Sequence, residues 1–278
     1  MLLYYAMGGG LGHLTRARAF LHTLGLGEGA ALFTSSRFAD DPRVTGGFRV
    51  VRVPVELDGD RAGLRALLER TIADLDASFL VVDAFPAGLL GELAEWKPPA
   101  GVALWHVARL LRWERYVADA GARLPRTDVT FVLEELHGEH RRALEGSSGE
   151  IRSLTLVDPP FPPPVPVAGP YVLVVHGGPG EETSDLVACA RELSGAAGGA
   201  AWVVLASPTP PEGLPPDVAW FDAFPAAGLF AGAERIVTAA GFNAVRQTEP
   251  FRAKRFLVPY PRRFDDQFTR AARAAQAV

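Results

Sequence analysis

Short apolar runs alternate with helical patterns along the first part of the chain. The runs are rich in β-branched and aromatic residues, which favours strands, and they cover 2–6, 30–34, 48–53, 79–82, 102–105 and 129–133. Apolar residues at three- and four-residue spacing predict helices at 14–24, 61–75 and 87–96. Arg16 and Arg18 fall off the apolar stripe of the first of these helices. Strands that alternate with helices predict a parallel sheet covered on both faces.

The same pattern begins again after a proline-rich stretch. Seven of the 23 prolines lie in 159–170, a composition that continues neither a helix nor a central strand. We therefore predict a domain at 1–158, a stiff linker at 159–170 and a second domain at 171–278. The second domain has predicted strands at 171–175, 202–206, 218–221, 235–238 and 255–259, and a helix at 181–193.

In sheets of this kind, ligands bind at the carboxyl ends of the strands. Two such domains are therefore expected to face a central cleft, with a donor held by one domain and an acceptor by the other.

Composition excludes several classes of protein. The net charge of -4 gives no general electrostatic reason for nucleic acid binding. The single cysteine, Cys189, excludes an internal disulfide and a multi-cysteine metal site. No apolar run approaches the roughly 18 residues of a membrane-spanning helix, and residues 1–7 lack the basic flank of a signal peptide. We expect a cytoplasmic protein, and peripheral contact with a membrane surface stays open.

A glycine-rich turn follows the first predicted strand and opens the first helix. The turn reads Gly8-Gly9-Gly10-Leu11-Gly12-His13, a pattern that lets backbone N–H groups face an anion. It is not the dinucleotide fingerprint, because His13 stands at the third glycine position and Ser35 and Ser36, not an acid, end the second strand. The Walker pattern is also absent. His13 is either a simple helix-end residue or a functional group, and the surrounding glycines favour the second interpretation.

The second domain carries the more specific motifs. They are Ala239-Ala240-Gly241-Phe242-Asn243-Ala244 with its continuation to Glu249, the strand and loop 254–260, and Asp265-Asp266-Gln267. Together with the Gly-His turn, these stretches resemble the glycosyltransferases of the GT-B fold, in particular glycosyltransferase family 28. The resemblance implies an α/β protein of two Rossmann-like domains that moves a sugar from a nucleotide diphosphate donor to a hydroxyl acceptor.

This resemblance also implies roles for individual residues. His13 would be the catalytic base, and the backbone at Gly241 would hold the donor diphosphate. A UDP-sugar is the implied donor, a lipid-linked or saccharide hydroxyl the implied acceptor, and neither a metal nor another cofactor is required. The implied donor-binding residues are Gly241, Phe242, Asn243, Ala244, Gln247, Glu249, Tyr260, Asp266 and Gln267. Arg262 is added as a donor-binding candidate because it lies just past Tyr260, where a positive charge would neutralise the diphosphate.

Two positions depart from the family pattern. Gln247 stands where the family has a ribose-binding glutamate, so either Gln247 or Glu249 would hold the ribose. Pro179 stands where the family often has a serine, which makes the turn at 176–180 a poorer phosphate site than Gly241. Sugar or acceptor contacts are therefore expected at Gly177 and Gly178.

The first domain offers further candidates at the predicted ligand edge. Asp83 ends a strand and either belongs to the site or caps the next helix. His106 and Arg109 follow another strand, where we expect contact with an anionic acceptor group. His137 and His140 lie in a charged helical stretch, which is a weaker basis for a metal site. The acceptor-side or cleft candidates are Gly10, Gly12, Thr15, Asp83, His106, Arg109, Gly177 and Gly178.

Two other classes of function stay open. Residues 10–16 also meet the Gly-x-Gly-His-x-x-Arg turn of nucleotide-sugar hydrolases of similar length and fold, in which His13 would activate water. A non-catalytic nucleotide-sugar binder is suggested by Pro179 and Gln247, but pure binding would not require the histidine of the turn.

Overall fold

The computed structural model describes residues 1–161, 167–196 and 202–276. The chain divides into two compact units, of which the first takes Met1–Pro159 and Arg263–Asp265 and the second takes Pro160–Arg262 and Asp266–Val278. The sequence assigned all of 171–278 to the second domain, whereas the structure places Arg263–Asp265 in the first unit. The middle of the predicted linker, 162–166, lies outside the described residues.

The first unit is built on a parallel sheet of seven strands. Its strands are β1 (Leu2–Tyr5), β2 (Ala30–Thr34), β3 (Arg49–Arg52), β4 (Phe79–Asp83), β5 (Ala103–Ala108), β6 (Thr127–Val132) and β7 (Ser148–Ser153). They are arranged in the order β3-β2-β1-β4-β5-β6-β7. Tyr5 pairs with Val82, so the turn after β1 and the end of β4 lie side by side at the carboxyl edge.

Five helices accompany this sheet in the described part of the first unit. They are α1 (Leu11–Thr23), α2 (Pro42–Thr45), α3 (Arg61–Asp74), α4 (Trp113–Ala120) and α5 (Gly138–Ser147). Asp60 caps α3 by accepting hydrogen bonds from the N–H groups of Ala62 and Gly63. The helix predicted at 87–96 is wrong: turns occupy this stretch, and Gly88 and Gly91 adopt φ of +84° and +80°.

The turns at 84–97 are held by two buried side chains. Glu92 accepts hydrogen bonds from the Tyr5 hydroxyl and from the N–H groups of Leu89 and Leu90. The hydroxyl of Tyr116 accepts from the N–H of Ala87. Buried backbone groups need such partners, so side chains here replace the hydrogen bonds that a helix would have supplied.

The second unit repeats the architecture on a smaller scale. Its elements are β8 (Tyr171–Val175), α6 (Gly180–Ala196), β9 (Trp202–Ala206), β10 (Val218–Phe221), β11 (Arg235–Ala239), α7 (Phe242–Gln247), β12 (Arg255–Val258) and α8 (Gln267–Gln276). The five strands are parallel, in the order β10-β9-β8-β11-β12, as the sequence pattern predicts. Val175 pairs with Thr238, so the turns after β8 and β11 lie at one edge. None of the described helices is long and apolar enough to cross a membrane.

Candidate active site

The glycine turn after β1 is shaped around the ring of His13. Gly8 adopts φ of +142°, and a Cβ placed on it would lie 2.6 Å and 2.7 Å from Cδ2 and Nε2 of His13. This position therefore requires glycine both for its backbone conformation and for the space that the imidazole takes. Gly10 is the N-cap of α1, and a Cβ at Gly9 or Gly10 would meet open space.

The buried carboxylate of Asp83, the last residue of β4, contacts three polar side chains. Nδ1 of His13 lies 2.5 Å from its Oδ2. Arg16 binds both carboxylate oxygens, with Nε 2.6 Å from Oδ1 and Nη2 2.5 Å from Oδ2. The hydroxyl of Tyr4 donates to Oδ1 at 3.0 Å. Asp83 has no exposed surface and Arg16 is 2 % exposed, so their ion pair is shielded from water.

The charges of this network set the protonation states of its members. Burial opposes ionisation of Asp83, but the charge of Arg16 and the hydrogen bonds from His13 and Arg16 outweigh it and hold the pKa of Asp83 well below its usual range. Burial lowers the pKa of His13 below its ordinary value, although Asp83 acts in the opposite direction. His13 is therefore a neutral imidazole near pH 7.

The short distance between His13 and Asp83 assigns the tautomer. Because the ionised carboxylate only accepts hydrogen bonds, Nδ1 of His13 carries the proton and Nε2 carries the lone pair. Nε2 has no hydrogen-bond partner among the described residues. A neutral imidazole oriented by a carboxylate, with Nε2 available, is the arrangement of a general base.

The backbone is strained at Ala84, and the side chain of the following residue, Phe85, contacts the histidine. Ala84 adopts φ of +64°, which is costly for a residue with a Cβ, and its N–H donates to the carbonyl of Val107. The ring of Phe85 lies 5.5 Å from that of His13, centroid to centroid. Strain of this kind persists where the surroundings hold it and is common at functional sites.

The alternative role of Asp83, as the cap of a following helix, is wrong. No helix follows Asp83, because turns occupy the described residues 84–97, and its carboxylate is occupied by His13, Arg16 and Tyr4. Arg16 was missing from the predicted site because it lies off the apolar stripe of α1. Two signals were available: Arg16 ends the Gly-x-Gly-His-x-x-Arg turn, and it stands three residues after His13, which puts both side chains on one face of a helix.

The structure places His106 and Arg109 inside the first unit. His106 has no exposed surface, and its Nε2 lies 3.4 Å from the carbonyl oxygen of Ala84. Burial lowers the pKa of His106 to about 4, so its ring is neutral. Arg109 is 6 % exposed and pairs with Asp265. Both side chains are thus buried in the first unit, and their contact with an anionic acceptor group stays a prediction.

The other first-unit candidates make local contacts. The hydroxyl of Thr15 donates to the carbonyl of Leu11 within α1. Gly12 is exposed on the first turn of α1. His140 is buried and stacks on Trp113 with the ring centroids 4.3 Å apart, so it packs in the interior and does not lie on an exposed helix face.

In the second unit, the predicted donor motif lies at the carboxyl edge. Gly241 is the N-cap of α7, and a Cβ placed there would meet open space. Phe242 is buried, whereas Asn243, Ala244 and Gln247 are half-buried. The carboxylate of Glu249 lies 3.0 Å from Nη1 of Arg255, so this carboxylate already has a partner within the unit.

The remaining donor candidates have structural partners as well. Asp266 caps α8, since its Oδ1 accepts from the N–H of Thr269 at 3.1 Å. Gln267 is 4 % exposed, and its Oε1 accepts from the N–H of Tyr260 at 3.1 Å. Both side chains thus shape the loop after β12, a contribution that the motif alone did not reveal.

An ionic cluster of His176, Glu182 and Arg262 lies beside the turn at 176–180. Arg262 binds both carboxylate oxygens of Glu182, and Nε2 of His176 lies 3.0 Å from Oε2 of Glu182. The hydroxyl of Tyr260 donates to the carbonyl of Glu182 at 3.1 Å. Gly177 is half-buried and Gly178 is exposed at this turn.

Comparison with solved structures identifies the fold. The chain is similar to the spinosyn forosaminyltransferase SpnP, at 15% identity and a TM-score of 0.63 over 99% of this chain and 83% of that chain. It is also similar to the glycosyltransferase SsfS6 of Streptomyces sp. SF2575, at 12% identity and a TM-score of 0.58 over 99% and 85% of the two chains.

A third similar structure is a UDP-GlcNAc 2-epimerase. This enzyme, from Neisseria meningitidis and bound to UDP-GlcNAc, matches at 10% identity and a TM-score of 0.60 over 98% of this chain and 85% of that chain. No family model and no curated protein sequence matches the chain. The two parallel-sheet units are those of the GT-B fold, as the sequence resemblance predicted.

Proposed function

We propose that the protein is a glycosyltransferase that moves a sugar from a nucleoside diphosphate donor to a hydroxyl acceptor. The observation that carries this proposal is the buried carboxylate of Asp83, which orients a neutral His13 at the glycine turn. The GT-B fold, shared with several glycosyltransferases, supports the same proposal.

In this reaction His13 acts as the general base. Nε2 of His13 takes the proton of the acceptor hydroxyl as the acceptor oxygen bonds to the anomeric carbon of the donor sugar. The bond between that carbon and the diphosphate breaks, and the nucleoside diphosphate leaves with the electron pair. Asp83 stabilises the imidazolium that forms, and Arg16 fixes the carboxylate in place.

The second unit is assigned to the donor, and a UDP-linked hexose is the proposed species. The backbone at Gly241 faces open space and is the proposed diphosphate contact. Gln247 and Glu249 are both proposed for the ribose hydroxyls, and Glu249 would have to keep or exchange its contact with Arg255.

A nucleotide-sugar hydrolase is the second candidate function. One specific observation favours it: Arg16 donates hydrogen bonds to the carboxylate of Asp83, which also contacts His13. Arg16 belongs to the Gly-x-Gly-His-x-x-Arg turn that residues 10–16 share with such hydrolases. In that reaction Nε2 of His13 would take a proton from water instead of from an acceptor hydroxyl.

The proposal is tested by release of nucleoside diphosphate from UDP-, GDP-, CDP- and ADP-sugars, first without an acceptor and then with saccharide and lipid-linked acceptors. His13→Ala is compared with the parent protein, and His22→Ala, an exposed histidine on the same helix, is the matched control. Acceptor-dependent release that His13→Ala abolishes supports the transferase. Release without an acceptor that the same variant abolishes replaces the transferase with the hydrolase. Donor binding without release under any condition contradicts both and leaves a binding protein.

A further inference from the structure

The concave side of the turn at 176–180 is filled by the protein's own carboxylate. Glu182 lies in the first turn of α6, and its side chain reaches back towards the turn: a Cβ placed on Gly178 would lie 3.2 Å from Oε2 of Glu182 and 2.5 Å from Nε2 of His176. Gly178 therefore leaves room for an anion, and Glu182 supplies that anion.

The groups around this carboxylate are those that bind phosphates. Arg262 contacts both of its oxygens, and a planar guanidinium accepts carboxylate and phosphate in the same bidentate geometry. The side chain of His176 is 5 % exposed, and its Nε2 lies 3.0 Å from Oε2 but outside hydrogen-bond geometry. The side chains of Glu182 and Arg262 are 13 % and 29 % exposed, so water screens their contact only in part.

The carboxylate of Glu182 neutralises the charge of Arg262. Burial opposes ionisation of Glu182, but the hydrogen bond and the charge of Arg262 outweigh it, so the pKa of Glu182 lies below its ordinary value and the group is ionised. Arg262 and Glu182 then cancel each other's charge. An incoming anion meets a site that is already neutralised, and it reaches the Nη1–Nη2 edge of the guanidinium only by displacing Glu182.

We infer that Glu182 is a built-in competitor of the donor's phosphate groups for Arg262 and His176, and thereby a determinant of anion selectivity. The inference rests on the proposed function in one respect: it takes Arg262 to be a donor-binding residue. A diphosphate carries more negative charge than the single carboxylate and can replace it, whereas a monoanionic ligand has no such advantage. The cluster therefore favours diphosphates over singly charged anions.

The exchange needs only side-chain movement. Glu182 belongs to the first turn of a helix, so a change of rotamer removes its carboxylate from Arg262 without displacing the backbone. Its neighbour Glu181 is exposed and carries the same charge on the same turn. Comparison of the two residues thus separates the specific contact with Arg262 from the general effect of negative charge at this end of α6.

Calorimetric titration at about pH 5.5, where inorganic phosphate is a monoanion and inorganic pyrophosphate a dianion, tests the inference on the full chain. We expect Glu182→Gln to bind pyrophosphate about tenfold more tightly than the parent, because one charge-assisted interaction no longer has to be broken. The affinity for phosphate should rise by at least the same factor, so that the ratio of the pyrophosphate affinity to the phosphate affinity decreases. The matched control Glu181→Gln should change either affinity by less than about twofold.

The double variant Glu182→Gln with Arg262→Gln should lose the gain, since no guanidinium remains for the anion to reach. Equal affinities in Glu182→Gln and Glu181→Gln would overturn the inference, as would a gain that survives removal of Arg262. Absence of binding in every variant overturns it too, but leaves the proposed function standing if the parent releases nucleoside diphosphate and His13→Ala does not. Conversely, a parent without turnover whose Glu182→Gln variant gains pyrophosphate affinity through Arg262 contradicts the proposed function alone.

Discussion

At the scale of single residues, the site depends on the carboxylate of Asp83. Asp83→Asn removes the negative charge that stabilises an imidazolium, and we expect the rate of nucleoside diphosphate release to fall by about 10² to 10⁴. The same change lowers the pKa of His13 further, because Asp83 raises it in the parent. The acidic limb of the pH–rate profile should therefore move to lower pH.

The control for this variant concerns Arg16, whose buried guanidinium would lose its partner. That loss alone destabilises a protein by about 3 to 5 kcal/mol. A double variant, Asp83→Asn with Arg16→Gln, should recover much of the melting temperature and none of the rate. Recovery of the rate with the melting temperature would show that Asp83 acts only on stability.

Gly8 is the second residue on which the histidine depends. Gly8→Ala forces a positive φ on alanine and puts a methyl group 2.6 Å from Cδ2 of His13. We expect the imidazole to be displaced and the rate to fall by about 100-fold, the effect of a misplacement of about 1 Å. Gly9→Ala is the control, since a Cβ at Gly9 meets nothing within 4 Å. Equal rates in the two variants would contradict this account of the turn.

The sequence alone predicted only part of this residue network. His13 stood out because glycines surround it, and Asp83 because it ends a strand at the ligand edge. Arg16 was missed because a cationic side chain off the apolar stripe is expected in water, whereas here a carboxylate from another strand compensates for its burial. That pairing joins positions 67 residues apart, and no local pattern contains it.

At the scale of elements, Glu92 holds the turns that follow β4. Burial raises the pKa of Glu92 to about 7, from an ordinary value of 4.5. In the unfolded chain the carboxyl ionises near pH 4.5. The contribution of protonated Glu92 to the free energy of unfolding is therefore complete below that pH and is lost as the pH rises towards 7. The loss amounts to about 3 kcal/mol across this window.

Glu92→Gln should remove that dependence, because an amide does not titrate. Its single oxygen can accept from only one of the N–H groups of Leu89 and Leu90, a loss of stability that is the same at every pH. Urea unfolding at pH 5, 6, 7 and 8 gives the free energy of unfolding of the variant and of the parent, and the difference between the two should change with pH. The exposed Glu56→Gln serves as the control and should follow the parent. A constant difference between Glu92→Gln and the parent over this range would refute the assignment.

Two elements show where sequence patterns lose their power. The stretch 87–96 has helix-like spacing of apolar residues, yet the positive φ of Gly88, Gly91 and Glu95 is incompatible with a helix. Strand β7 was not predicted because its residues, Ser148–Ser153, are mostly polar. It lies at the edge of the sheet, where a strand needs no apolar run. The buried central strands were predicted within one to three residues for the opposite reason.

At the scale of the whole molecule, the first unit is discontinuous in sequence. The proline stretch indicated a boundary near residue 160, but no local signal shows that 263–265 packs with a core formed a hundred residues earlier. The segment is held by the pair of Arg109 and Asp265 and by a hydrogen bond of 2.7 Å from the N–H of Arg112 to the carbonyl of Phe264. These contacts join two parts of the chain that a division by sequence separates.

Phe264 is the apolar anchor of that segment and gives the last prediction. It is 5 % exposed and packs edge to face with Phe85 and Tyr116, at centroid distances of 5.5 Å and 5.4 Å. Phe264→Ala should lower the free energy of unfolding by about 3 to 4 kcal/mol, measured in urea. Because Phe85 also contacts the ring of His13, the rate of nucleoside diphosphate release should fall as well. Phe268→Ala, at a side chain that is 56 % exposed, should change neither quantity. Equal stability of the two variants would mean that 263–265 contributes nothing to the core of the first unit.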